Sequence, residues 1–170
     1  YEVPLLLDNQ GLTDFLLQRF DIERHDGLER WKRFVQQVMH ASQEVTIGIV
    51  GKYTSLSDSY ISIEEAFNHA GAPLETSVHV EWIDAEQLQA GNESLDHLHG
   101  ILVPGGFGMR GADGKIEAIQ YARENNVPFL GICFGFQLAV VEYGQHVLGI
   151  DCNSIEIDPD TEHAIITILP

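Results

Sequence analysis

Before Ser42 the apolar residues recur at helical spacing, and after it they gather into short runs separated by polar and amphipathic stretches. Leu, Phe, Trp and Val fall three or four positions apart over Gly11 to Phe20 and again over Leu28 to Met39, with the charged stretch Asp21 to Asp26 between them. This predicts two amphipathic helices, read as an interdomain element. Beyond Ser42 the pattern predicts strands at Val45–Val50, Ser77–Ile83, Gly100–Val103 and Val127–Ile132. Helices are predicted near Ile61–Ala70 and over Lys115–Asn125 and Phe134–His146. Such alternation predicts an α/β fold, a three-layer sandwich whose mostly parallel central sheet is covered by helices on both faces. The chain accordingly divides into residues 1–43, a helical attachment, and residues 44–170, a single domain.

Where the strand Val127–Ile132 meets the following helix, the residues are Gly131-Ile132-Cys133-Phe134-Gly135. A G-x-C-x-G segment between strand and helix is a nucleophile elbow: the glycines permit a turn that side chains would block, and the helix N-terminus behind the cysteine favours negative charge there. The chemistry indicated for Cys133 is acyl transfer through a thioester. The other reading of such a cysteine is a small buried hydrophobe. Upstream, Ile101-Leu102-Val103 runs into Pro104-Gly105-Gly106-Phe107-Gly108, whose glycines leave backbone N–H groups unobstructed. By itself that is a turn after a strand. One strand–helix unit before a cysteine elbow, it reads as an oxyanion hole. In parallel sheets ligands bind outside the carboxyl ends of strands, where both segments fall.

Composition narrows the class. Hydrophobic residues make up 44% of the chain, with two cysteines and no apolar run near the roughly 18 residues of a membrane span. No secretory leader is read in the sequence, and the expected location is the cytoplasm, whose reducing conditions keep Cys133 free. Cys152 is taken as structural. Nine basic against 26 acidic residues give a net charge of −17, which disfavours nucleic acid and anionic membranes as partners. Gly48 to Lys52 imitates a phosphate loop, but its spacing is too short and Tyr53 stands where Ser or Thr would hold magnesium. The histidines lack metal-site spacing, and no metal is expected. Arg110 and Lys115, flanking Gly111 and Gly114, read on their own as a solvated loop.

The run Val103-Pro104-Gly105-Gly106-Phe107-Gly108-Met109-Arg110-Gly111 followed by Gly131-Ile132-Cys133-Phe134-Gly135-Phe136-Gln137 resembles the class I glutamine amidotransferase (glutaminase) domain of the CTP synthase family. Tyr1 to Leu7 resembles the end of that family's synthetase domain. Gly51-Lys52-Tyr53 with Ser57-Asp58-Ser59-Tyr60 resembles the glutaminase domain's first strand–helix junction, and Asn153-Ser154-Ile155-Glu156 its N-S-T-E segment. The resemblance implies hydrolysis of L-glutamine with Cys133 as nucleophile and the backbone N–H groups of Gly105 and Phe134 as oxyanion donors. It implies glutamine contacts from Gly106, Phe134, Gly135, Phe136, Gln137 and Glu156, the last holding the α-amino group. Arg110 and Lys115 would bind the allosteric activator GTP. Ammonia would pass to a synthetase domain that uses ATP and Mg2+ to aminate UTP, the whole being a C–N ligase and a homotetramer; no cofactor is expected in this chain.

The chain departs from the family pattern. The His-Pro-Glu segment that completes the family's triad is absent before Pro170, so the piece is expected to be inactive alone and to leave a sheet edge or apolar face uncovered. Tyr1 in place of an initiator methionine fits a partial chain. Phe134 and Phe136 stand where the family more often has Leu and Met, and Ile155 where it has Thr. Two other readings remain open: a catalytically silent amidotransferase-like module that binds and assembles, and a free-standing cysteine hydrolase, against which the Tyr1 to Leu7 segment argues.

Overall fold

The computed structural model describes residues 1–25, 27–52, 60–106 and 108–167. Tyr53, the Ser57-Asp58-Ser59 segment and Phe107, all part of the resemblance, lie outside the described residues, as does Asp26. The chain forms two compact units, one of residues 1–44 with 65–77, the other of residues 45–64 with 78–170.

In the first unit, α1 (Val3–Asn9) and α2 (Leu12–Phe20) bury no residue fully, whereas α3 (Leu28–Met39) buries Val35. Helix α1 was not expected; Pro4 occupies its first turn, where the missing N–H has no helical partner to lose. The Tyr1 and Phe34 rings meet edge-on at 5.2 Å, Trp31 and His69 pack around them, and the Trp31 indole donates to the Tyr1 carbonyl.

The described strands form a sheet of order β2-β1-β3-β4, with β1 at Gln43–Gly51, β2 at Thr76–Asp84, β3 at Gly100–Val103 and β4 at Phe129–Gly131. Strand β3 pairs in parallel with β1, Ile49 opposite Leu102, and with β4, Val103 opposite Gly131. Helix α4 (Ile61–Gly71) precedes β2, α5 (Ala85–Gln89) follows it, and α6 (Ala112–Glu124) and α7 (Phe134–His146) pack on one another and on β3 and β4. All four residues of β3 are buried, as expected for a central parallel strand. Val50, Ile83, Val103 and Leu138 are wholly inaccessible, each contributing on the order of 1.5–3 kcal/mol by leaving water. A short pair, β5 (Asn153–Ser154) with β6 (Ala164–Ile166), closes the described chain.

Two of the shifted boundaries bear on the site. Strand β4 is shorter than Val127–Ile132: Pro128 has no N–H for the ladder, though its carbonyl accepts from Ile101, and the Ile132 N–H still reaches the Val103 carbonyl at 2.9 Å. Helix α6 begins at Ala112, three residues before the predicted Lys115, so its first turn takes up part of the glycine segment. Among the described residues β4 is an edge strand, and Leu130 on it is 55% exposed.

Candidate active site

The register of β3 and β4 decides where the chemistry falls. Because Val103 lies opposite Gly131 in a parallel pair, the loop after Val103 and the turn after Gly131 leave the sheet side by side, at the carboxyl ends of adjacent strands. A Cβ on Gly105 would sit 3.6 Å from Cys133 Cβ, so the loop and the cysteine are in van der Waals contact range.

Cys133 caps the N-terminus of α7 with φ 52° and ψ −109°, a conformation an L-residue adopts only under constraint. The constraint is visible in the flanking glycines. A Cβ on Gly131 would lie 2.6 Å from the Phe136 nitrogen, and one on Gly135 would lie 2.0 Å from the Val103 carbonyl oxygen. The Gly135 N–H donates to the Ile132 carbonyl at 2.9 Å, and the Gln137 N–H closes the first helical turn on the Cys133 carbonyl at 3.1 Å. The thiol itself is exposed. Cys152 is the opposite case: it lies buried against Gly144, and burial, with Asp151 adding to it, pushes its thiol up from the ordinary value.

Phe134 is the first residue of α7, so its N–H stands outside the intrahelical ladder, while its side chain is buried. Gly135 is buried beneath it, Phe136 is exposed, and Gln137 is half-buried with its N–H committed to the helix. Gly106 lies beside Lys115, whose Nζ would be 3.8 Å from a Cβ placed there. Lys115 is buried and its ammonium stands 5.4 Å from the centre of the Phe134 ring. It was expected to be solvated beside Arg110; the first turn of α6 carries it inward instead. Arg110 remains exposed and clasps Glu86 through two 2.8 Å hydrogen bonds, which hold the Glu86 carboxyl below the usual carboxylate range.

Glu156 approaches from the segment after β5. Its Oε1 accepts from the Gly108 N–H at 2.8 Å, which ties the far end of the glycine loop to the carboxylate expected to meet the substrate amino group. Sequence reasoning chose both residues without the link between them. Among the described histidines after the elbow, the His146 Nδ1 meets the Glu142 carbonyl and the His163 Nδ1 the Asp151 carbonyl, so neither of these ring nitrogens serves Cys133. The arrangement therefore presents a constrained, exposed thiol, a glycine loop within reach of it and an anchored carboxylate.

The profile of the family described as glutamine amidotransferase class-I matches residues 55–165. The CTP synthase of Methanopyrus kandleri is 50% identical to the chain over 176 aligned residues, covering all of this chain and 33% of that protein. The CTP synthase of Staphylococcus carnosus is 49% identical, again over the whole chain and 32% of its own length. The chain thus spans about a third of the length of the curated relatives it matches. Among solved structures, one described as the glutaminase domain of Trypanosoma brucei CTPS with bound acivicin is similar, with TM-score 0.67 and 38% identity over 73% of this chain and 50% of that one.

Proposed function

Since the chain belongs to the class I glutamine amidotransferase family, with its α/β fold and parallel central sheet, we propose that its site hydrolyses L-glutamine to glutamate and ammonia. The carrying observation is the contact between Gly105, at the end of β3, and the strained Cys133, at the end of β4. In this reading the Cys133 sulfur attacks the side-chain amide carbon. Negative charge gathers on the amide oxygen between the N–H groups of Gly105 and Phe134, the C–N bond breaks to release ammonia, and water cleaves the glutamyl thioester to free the cysteine. Gly106, Gly135, Phe136 and Gln137 line the glutamine. Glu156 receives the α-ammonium on Oε2, because Oε1 is already taken by Gly108. The proton accepted from the thiol and returned to the leaving nitrogen requires a base, a task for which the Nδ1 atoms of His146 and His163, each on a backbone carbonyl, are not free.

At the level of the whole protein, the ammonia is passed on to aminate UTP at the expense of ATP, with Mg2+ and ATP bound in a further domain. Such a protein is a CTP-forming ligase of the cytoplasm, assembled as a homotetramer and activated by GTP at the Arg110 loop. This reading is supported by identity near 50% to CTP synthases along the full chain.

Glutamate release from glutamine tests it. A polypeptide carrying this chain within the length of its CTP synthase relatives should release glutamate, its Cys133→Ser form should not, and the 170-residue chain should be slower by about 10²–10⁴-fold for want of acid–base help. Release that survives Cys133→Ser contradicts the assignment.

A further inference from the structure

Two charged side chains are buried among the described residues, Glu142 and Lys115. Glu142 has its counter-ion, since Arg123 donates to both carboxylate oxygens at 2.8 to 3.2 Å. Lys115 has no carboxylate or carbonyl acceptor among the described residues; what it has is the face of Phe134 at 5.4 Å and the edge of Gly106. The charge acting on it is Lys52, just beyond β1, of the same sign. On its own helix Asp113 and Glu117 are exposed, and across from α6 the Glu86 carboxylate is held by Arg110 while Glu156 is held by Gly108. Burial, and then Lys52, push the Lys115 amine down from its ordinary value.

Burying the Lys115 side chain with only a ring face against its ammonium costs stability, and a methionine would fill the same space in the same helix without that cost. Beyond the face of Phe134 the fold gives the charge no partner among the described residues, and that face and Gly106 both border the site. Gly106 belongs to one wall of the site and Phe134 to the other, and the ammonium lies against both. We infer that Lys115 is a charged positioning residue of the Cys133 site, holding positive charge between the glycine loop and Phe134 so that anionic species forming at Cys133 are stabilised. No hydrogen bond joins Lys115 to Cys133 among the described residues; its charge acts through space on groups forming at the exposed thiol. The species it favours are the thiolate and, on the amidotransferase reading given above, the oxyanion of the tetrahedral intermediate.

Iodoacetamide, which recognises no glutamine pocket, reads the first of these directly. Sulfur displaces iodide, so the rate follows the thiolate, and peptide-resolved mass spectrometry separates Cys133 from the buried Cys152. Near pH 7.5, Lys115→Met should slow modification of Cys133 about fivefold, and Lys115→Arg should stay within about twofold of the unaltered chain. Above about pH 10 the difference should close, because an ordinary thiol is then ionised without help. A Lys115→Met variant as fast as the unaltered chain overturns the inference. A deficit that Lys115→Arg shares equally, or that persists above pH 10, assigns the effect to shape and overturns it as well. Lys115→Gln carries the same comparison if Lys115→Met does not fold. Should the iodoacetamide pattern hold while an electrophilic glutamine analogue leaves Cys133 untouched, the amidotransferase reading falls and the role of Lys115 stands.

Discussion

A Cβ on Gly135 would lie 2.0 Å from the carbonyl oxygen of Val103, so helix α7 begins against the end of β3 with no room for any side chain. That approach holds Cys133 in its constrained turn beside the glycine loop. Gly135→Ala must push α7 away from the sheet, and we expect a loss of about 3 kcal/mol or more in denaturant unfolding. Gly149→Ala is the control: its φ is also positive, at 65°, but nothing lies within 4 Å, so only the backbone penalty of about 1–2 kcal/mol remains. Equal losses at the two positions would contradict the packing account.

Lys115 predicts an unusual pH dependence of stability. Its folded-state amine is held below the unfolded value of 10.5, so between those two values the unfolded chain binds more protons and stability rises with pH. The cost of the buried ammonium is present in full below the folded value and is relieved above about 10.5. Lys115→Met should therefore raise the thermal midpoint at neutral pH, with the advantage shrinking as pH climbs through that window. A variant less stable at neutral pH than the unaltered chain would mean the ammonium is structurally needed. Together with slower Cys133 modification, a raised midpoint would separate a functional charge from a structural one.

Arg123 and Glu142 join α6 to α7 through a carboxylate that is 1% exposed. Arg123→Met leaves that buried carboxylate with only the His146 ring, 3.5 Å from its Oε1, and should lower the thermal midpoint by clearly more than Lys32→Met, which removes an exposed pair with Glu29. Equal shifts for the two variants would mean that water reaches Glu142.

The Gly108 N–H to Glu156 hydrogen bond ties a loop on one side of the site to a segment on the other. Glu156→Ala should speed hydrogen exchange at the Gly108 amide about tenfold, as expected for loss of one bond to a charged acceptor, with little change in the unfolding midpoint. Unchanged exchange at Gly108 would show that the glycine loop holds its shape without the carboxylate.

The parts of this fold legible in the sequence are those where one local signal was enough. Helix α7 occupies Phe134–His146 as its periodicity predicted, and β3 occupies Gly100–Val103 because a short apolar run bounded by glycine and proline has few alternatives. The elbow was legible for the same reason: only glycines at 131 and 135 tolerate the contacts measured there. Helix α5 escaped notice although Asp84 caps it, accepting from the N–H groups of Glu86 and Gln87, because five residues are too few to show a period. Helix α1 was missed because seven residues opening on Pro4 show too little of a helical period. Lys115 was misplaced because hydropathy sends lysine to the surface, and only the tertiary packing of α6 against α7 and β3 reveals its burial. The pairing of Glu156 with Gly108 joins residues remote in sequence and has no local trace at all.

The most direct test of the central claim, that Cys133 is a nucleophile for the glutamine side chain, is peptide-resolved mass spectrometry after exposure to an electrophilic glutamine analogue. A polypeptide carrying this chain within the full length of its CTP synthase relatives would be treated with and without excess L-glutamine. A single adduct on Cys133, suppressed by glutamine and absent from Cys133→Ser, is the predicted result. A Cys133 that stays unmodified, or whose modification glutamine does not slow, would contradict the account.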